Sequence, residues 1–509
     1  MAVSIQQLAQ KSYWRMVGSV VRQFPPVFDR GNRMLYRLNL NYALRGWEKM
    51  AWTVVDRRRN QVKKLSSEEF QLLLLCDGET DLGNIDFTNE MKRALKKFET
   101  DHLIEKCEYK EPLNFYQYYR YYDNRYVQTV FWSITGKCNY RCRHCYMDAP
   151  DAALGEVSTA EALDFIDQMA ECGVLQVDIT GGEPFVRKDF WQLVDRMIYH
   201  RMTIGMVYTN GWLLTDKVLD EFERRNLYPE FSISFDGIGW HDWMRGVPGA
   251  EEAAIRALQL CKKRGFSTNV EICLHRGNLG VLMQTVEALC SVGVQAIKSS
   301  YVVSTPLWSH NSDGNMLSDQ EYFEAMLRFI PEFYKAGRPV ELLLGNIIYL
   351  HRNKPYQVVA ERYDGTQKCL DDHLCGAARW ACYITPEGRL LPCMPMTSSP
   401  AQELFPRVQD IGLKQGLTDS FYMQFVDGRV KNLLEANAEC NACAYRYKCG
   451  GGCRANALIE GDQKLMGCDR NMCMLWKEGY VERIRKAADD AIAKYGVPSK
   501  KGGSSEVDT

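Results

Sequence analysis

The chain has almost no surplus of charge of either sign: 63 Lys and Arg stand against 64 Asp and Glu in 509 residues. That balance excludes a nucleic acid or an anionic membrane held by bulk electrostatics, because such partners need a basic surface. Long apolar runs are missing as well. Runs such as FQLLLLC, residues 70–76, fall far short of the roughly 20 residues a membrane span needs. The opening stretch, MAVSIQQLAQKSYWRMVGSVVRQFPPVF, has no basic start followed by an apolar block, so no secretory signal is read there. A soluble, cytoplasmic protein is expected. Its 46% apolar and 25% charged content is ordinary for globular chains, and its length suggests two to four domains.

Cysteine is abundant. There are 19, an odd count. In a reducing compartment a disulfide framework does not persist, and cysteine more often serves metal or redox chemistry. Iron–sulfur clusters and zinc are the two candidates.

The pattern divides the chain. Residues 1–126 form a first unit. Residues 44–66 read as a short β-ribbon leading into a helix from Ser66, with Ser67 as cap and Gly78 as stop. Residues 89–109 read as a second amphipathic helix running into a strand. This order suggests a small winged-helix-like module. The aromatic segment 114–127, NFYQYYRYYDNRYV, has few basic residues, so its rings are read as packing between domains rather than stacking on bases.

Strand and helix then alternate over 127–340. Strand-like runs occupy 129–135, 175–180, 202–209, 231–235, 269–274 and 295–302, with helical stretches such as 159–171 and 251–264 between them. Six βα units predict an α/β core on a parallel sheet, either doubly wound or a partial barrel. In such barrels chemistry sits on loops at the C-terminal strand ends. Over 341–495 the regularity stops, and ten of the 19 cysteines lie between Cys369 and Cys473. A helix is expected over 474–494, and the polar tail 496–509 reads as disordered. No internal repeat is visible beyond the βα units.

Just after the first strand of the core stands GKCNYRCRHCYM, with Cys138, Cys142 and Cys145 and no fourth cysteine. A structural zinc site wants four ligands, and the nearest candidate, His144, is too close in sequence to close a regular one. Three thiolates on a cubic 4Fe–4S cluster leave one iron open to a small molecule binding through an amine and a carboxylate. After the second strand comes Gly181–Gly182–Glu183–Pro184, where glycine lets backbone approach a ligand and the carboxylate can hold an ammonium. After the fourth comes Ser234–Phe235–Asp236–Gly237, whose hydroxyl and carboxylate suit ribose hydroxyls or simply make a turn. His241, Asp242 and Arg245 follow, readable as pocket residues or as a solvated helix start.

These motifs together resemble radical S-adenosylmethionine enzymes over roughly residues 128–336. The resemblance implies a partial (β/α)6 barrel with a 4Fe–4S cluster on Cys138, Cys142 and Cys145 and adenosylmethionine on its open iron. It sets Gly181, Gly182 and Glu183 against the amino group, Ser234 and Asp236 against the ribose, and Tyr146 against the adenine. One electron, from a donor such as flavodoxin or ferredoxin, would cleave the cofactor to methionine and a 5′-deoxyadenosyl radical that takes a hydrogen atom from substrate.

Farther on, CNACAYRYKCGGGC holds Cys440, Cys443, Cys449 and Cys453, and Cys375 is followed by Gly388 and Cys393. This layout resembles the SPASM extension of peptide-modifying radical enzymes, with two auxiliary 4Fe–4S clusters. The resemblance implies one cluster on Cys369, Cys375, Cys393 and Cys453. It implies the other on Cys440, Cys443, Cys449 and a later cysteine: Cys473, favoured because Asp469 precedes it, or Cys468. A pair of zinc sites is the alternative. Cys76, Cys107, Cys172, Cys261, Cys273, Cys290 and Cys382 read as small hydrophobes.

A winged module before such a core resembles the peptide-recognition element of ribosomal-peptide maturases, where a leader peptide adds as a strand to the ribbon; a bracing domain is the other reading. The expected activity is modification of a precursor peptide bearing that leader. Sulfatase maturation is disfavoured, because that family places an Asp after the cysteine matching Cys393 and this chain has Met394. Chemistry on a small molecule or tetrapyrrole, and a non-catalytic electron carrier, are the further alternatives.

Overall fold

The computed structural model describes residues 33–108, 111–147, 154–302, 305–459 and 464–496. The chain divides into two compact units, Met1–Tyr126 and Val127–Thr509.

In the first unit, β1 (Tyr36–Leu38), β2 (Tyr42–Glu48), β3 (Met50–Asp56) and β4 (Gln61–Lys64) precede helices α1 (Ser67–Leu74) and α2 (Asn89–Thr100). Strands β5 (Ile104–Lys106) and β6 (Arg120–Arg125) follow. The sheet runs β4-β3-β2-β6, and β1 pairs with β5. The helix cap is Ser66, not Ser67: Ser66 accepts from the Glu69 N–H while the Glu69 side chain takes the Ser66 N–H. That reciprocal box selects the serine three residues before the glutamate. The helix ends at Leu75 rather than Gly78. The second helix stops at Thr100, and His102, with φ of 53°, turns the chain toward β5. Two of the rings expected to pack between domains close over their own unit, Tyr122 stacking on Trp47 at 5.4 Å and Tyr126 meeting it edge-on at 4.6 Å.

The second unit is built on β7 (Thr129–Ser133), β8 (Gln176–Thr180), β9 (Thr203–Thr209), β10 (Glu230–Ser234), β11 (Thr268–Leu274), β12 (Ala296–Tyr301) and β13 (Glu341–Leu344). Neighbours pair in parallel in strict chain order. A doubly wound sheet would reverse direction at its middle. With no reversal, right-handed crossovers carry the helices to one face and curl the sheet. Strands β14 (Ile348–Leu350) and β15 (Gln357–Val358) extend one edge, and β16 (Ala381–Ile384) and β17 (Leu390–Leu391) the other, making eleven strands. The two end strands do not pair with each other, so the barrel is partial.

The crossovers include α3 (Thr159–Glu171), α4 (Phe190–Tyr199), α5 (Asp216–Arg224), the short α6 (His241–Arg245), α7 (Ala250–Arg264), α8 (Leu282–Ser291) and α9 (Asp319–Lys335). Helix α3 shows why they form. Its Ser158–Glu161 capping box starts it, and Ala162, Phe165, Ile166 and Met169 recur on one face and are buried. Phe165 lies 6.1 Å from the Trp132 ring of β7, and each such large apolar burial contributes about 1.5–3 kcal/mol.

Two features run past the expected core boundary at 340. Strand β13 continues the parallel sheet, and β16, from the cysteine-rich region, pairs in parallel with β7. The helix expected over 474–494 is two, α10 (Arg470–Lys477) and α11 (Tyr480–Tyr495), broken at Gly479 with φ of 68°. Helix α11 returns to α9, with Tyr480 4.9 Å from Phe323 and Arg483 2.7 Å from Glu324. Cys76, Cys172, Cys261 and Cys382 are buried, and Cys107, Cys273 and Cys290 half-buried. The tail expected from 496 lies, beyond Gly496, outside the described residues. No helix among the described residues is long and apolar enough to cross a membrane.

Candidate functional site

The cysteine loop leaves the C-terminal end of β7 and is clasped by the turn after β8. The Gly182 N–H donates to the Thr135 carbonyl and the Glu183 N–H to the Lys137 carbonyl, each at 2.9 Å. A Cβ on Gly182 would lie 2.3 Å from the Lys137 oxygen, and one on Gly181 2.6 Å from that of Thr135. The glycines expected to admit a ligand thus first admit the neighbouring loop. From the other side α6 holds the loop: the Arg141 N–H donates to the Arg245 carbonyl at 3.2 Å and the Arg143 N–H to that of Met244 at 2.9 Å.

Cys138, Cys142 and Cys145 line one cavity of about 150 Å³ together with Tyr146, Gly181, Gly182 and Ser234. Arg245, Tyr208, Glu271, Met394 and His144 are also on the wall. Met394 brings in the cysteine-rich region beside Cys393. Glu183 and Asp236, expected against the cofactor, are not on that wall and have no exposed surface.

Glu183 is spent behind the cavity. It accepts from the Thr209 hydroxyl at 3.0 Å and from the Asn210 N–H at 2.9 Å, and burial pushes its carboxyl up to about 7. Asn210, so held, donates its amide to Asn139 at 2.8 Å and lies 3.9 Å from the Cys138 sulfur. The carboxylate therefore steadies the cysteine loop through Asn210.

Asp236 is spent on Arg245. Its oxygens accept from Nε at 2.6 Å and Nη2 at 3.0 Å, and from the Cys273 N–H at 3.1 Å. Burial works to raise this carboxyl, but Arg245 and then His241 overrule it and hold it far below the carboxylate range. The third guanidinium nitrogen, Nη1, lies 3.8 Å from the Cys142 sulfur. Burial raises the Cys142 thiol and Arg245 opposes that rise. Burial likewise pushes Cys138 up to about 12, opposed by the Tyr140 N–H at 3.4 Å. Since a metal takes the thiolate, both donors favour the ligating form.

Tyr146 is hydrogen-bonded to Tyr383 of β16, which in turn meets the Ser133 hydroxyl at 2.6 Å. His144, the fourth ligand of the zinc alternative, lines the same cavity but is engaged at its back. Its ring nitrogen gathers with donor atoms of Asp236 and Cys273 within 4.8 Å, and burial holds it neutral, with a pKa of about 3.

In the C-terminal region Cys440, Cys443, Cys449, Cys468 and Cys473 line one small cavity. Both candidates for the last position are therefore present. Cys375, Cys393 and Cys453 form a second group: burial, then Cys453 and Cys375, raise the Cys393 thiol. Cys369, expected with them, is buried in an apolar cluster with Leu374, Val430, Leu433, Cys440 and Cys468. Asp469 accepts the Cys453 N–H at 2.7 Å and caps α10 through the Met472 N–H at 3.1 Å.

Sequence reasoning left Arg245 open and passed over Tyr208, Glu271 and Tyr383. A signal existed. On β11 Val270, Ile272 and Leu274 are buried while Glu271 and Cys273 alternate with them. A polar residue at the alternate position of an apolar strand marks the face away from the helices.

Residues 132–288 match the model of the Radical SAM superfamily. That stretch thus carries the likeness of that superfamily's domain. The AdoMet-dependent heme synthase of Methanosarcina barkeri is 24% identical over 340 residues, 64% of this chain and 91% of that protein. The PqqA peptide cyclase of Granulibacter bethesdensis is 26% identical over 336 residues, 65% of this chain and 84% of that one. Among solved structures, Streptococcus suis SuiB bound to S-adenosylmethionine aligns with a TM-score of 0.57 at 14% identity, covering 86% of this chain and 100% of that one. At that identity the likeness is one of fold.

Proposed function

Proceeding from a radical SAM superfamily domain at residues 132–288, we propose that this chain is a radical SAM/SPASM oxidoreductase that modifies a ribosomally made precursor peptide by a thioether, a carbon–carbon or carbon–oxygen crosslink, or a related C–H activation. One observation carries the reading: three thiols, the paired glycines and Met394 of the cysteine-rich region share one cavity. A peptide-acting relative, the PqqA peptide cyclase, supports the substrate class.

The residues suit the group the domain implies. Three thiols with no fourth among the described lining residues form a soft, incomplete donor set of the kind an open-iron cluster needs. When bound, the cluster and adenosylmethionine supply a 5′-deoxyadenosyl radical for hydrogen abstraction. Cys138, Cys142 and Cys145 hold the cluster, and Tyr146, Gly181, Gly182 and Ser234 border the cofactor. Arg245 sets positive charge against Cys142, and Glu183 and Asp236 support from behind. Cys375, Cys393 and Cys453 hold a first auxiliary cluster, with Cys369, which packs beside Cys440 and Cys468, as its expected fourth ligand. Cys440, Cys443, Cys449 and Cys473 or Cys468 hold a second, three clusters in all. A flavodoxin or ferredoxin supplies the electron in the cytoplasm. In the first unit, β4 is a sheet edge, and a leader peptide adds to such an edge by main-chain pairing. On this reading residues 1–126 are a winged-helix-like peptide-recognition module, 127–340 the core and 341–495 the SPASM region.

A second reading is favoured by the heme synthase relative: the same cavity acts on a tetrapyrrole. The test is anaerobic reconstitution followed by turnover. The wild type should hold about twelve irons and form 5′-deoxyadenosine. The Cys138→Ala/Cys142→Ala/Cys145→Ala variant should hold about eight and form none. A peptide encoded beside the gene should then lose hydrogen on incubation. Conversion of an iron porphyrin with the peptide untouched would transfer the assignment to the second reading.

A further inference from the structure

The second auxiliary cavity holds one thiol too many. Five sulfurs line it, from Cys440, Cys443, Cys449, Cys468 and Cys473, whereas a four-iron cluster takes one thiolate per iron. Resting on the reading above that this cavity holds such a cluster, we propose that Cys468 and Cys473 alternate as its fourth ligand, leaving one thiol always in reserve.

The geometry is that of a shared position. The Cys468 and Cys473 sulfurs and a Glu439 carboxylate oxygen all lie within 4.8 Å of one another. Cys468 also lies 3.6 Å from the Cys440 sulfur. Two thiolates in van der Waals contact cannot each bind a separate iron of one cluster, so loading must part Cys440 from Cys468. Cys473 is then close enough to replace it. A change of χ1 rotamer on each residue carries one sulfur toward the shared position and the other away, with the backbone at rest.

The backbone is held at both places by one residue. Asp469 stands immediately after Cys468 and caps α10, whose first turns carry Cys473. The same carboxylate accepts the Cys453 N–H at 2.7 Å and is buried. Both thiols therefore start from one anchored point.

The released thiol has a partner. Cys468 Sγ lies 3.5 Å from Glu439 Oε2 and 3.6 Å from Asn437 Nδ2. Glu439 is itself held by Lys477 at 3.1 Å and Arg470 at 3.0 Å. The exchange balances as a substitution. One iron–sulfur bond forms as another breaks, the incoming thiol gives up its proton to solvent, and the outgoing thiolate takes one up from solvent. No electron moves.

The test is iron content and reduced-state EPR of the reconstituted full chain. Wild type, Cys468→Ala and Cys473→Ala should each retain about twelve irons, and the double variant about eight. Each single variant should give its own auxiliary-cluster signal, and the wild type the sum of both. Loss of about four irons in either single variant, or a wild-type spectrum matching only one of them, overturns the alternation and leaves the cluster assignment standing. If the wild type holds about eight irons and Cys440→Ala changes nothing, the second auxiliary cluster itself falls. The remaining eight irons of the double variant report that the chain has folded.

Discussion

Arg245 closes a two-bonded ion pair with Asp236, at 2.6 and 3.0 Å, in a place where the carboxylate has no exposed surface. Breaking one side of a buried pair strands the other charge, at about 3–5 kcal/mol. Arg245→Met should lower unfolding free energy by about that much in denaturant titration, and Asp236→Asn/Arg245→Met by less. The folded-state carboxyl is depressed. Its stabilisation is therefore full above the ordinary carboxyl range and lost only as pH falls through that range into strong acid. An Arg245→Met chain as stable as the parent would show that the pair is open to water.

Glu183 works with the opposite sign. Its carboxyl is raised from 4.5 to about 7 by burial, so the folded chain keeps a proton that the unfolded chain releases. Stability should fall by about 3 kcal/mol as pH rises from about 4.5 to about 7, then level off. Glu183→Gln should remove that slope. Denaturation midpoints at pH 5 and pH 8 decide it: equal slopes in both chains would place the proton elsewhere.

Gly182→Ala puts a methyl group 2.3 Å from the Lys137 carbonyl oxygen. The obstacle is backbone, so the cysteine loop must move. Overpacking of this kind costs about 1–3 kcal/mol. The variant should lose about four irons on reconstitution and keep the rest. Full iron content would mean the loop yields without cost.

Deleting residues 1–126 should spare uncoupled formation of 5′-deoxyadenosine and abolish modification of a full-length precursor. A tethered substrate segment sees an effective concentration of order millimolar, so its loss appears mainly as lost affinity. Binding of the separate fragment to the precursor, and turnover by the truncated chain, are the measurements. Unchanged processing after truncation would make the unit a brace.

Much of this was legible in sequence because its cause is local. The runs at 175–180, 202–209 and 269–274 appear as β8, β9 and β11 within a residue or so, since alternation and flanking turns act over a few residues. The spacing of Cys138, Cys142 and Cys145 put three thiols on one loop without any fold being known. The strict strand order, though, separated a partial barrel from a doubly wound sheet, and no single element contains that order.

What only the tertiary structure decided was the partner of each polar group. Sequence reading aimed Glu183 and Asp236 at a ligand by residue type; packing turned one onto Thr209 and Asn210 and the other onto Arg245. It brought Tyr383 beneath Tyr146 from a strand about 250 residues beyond Ser133, and gathered five thiols where four were expected. Periodicity records which face of an element is buried. Which side chain meets which depends on sheet register and loop closure, set by contacts between segments hundreds of residues apart.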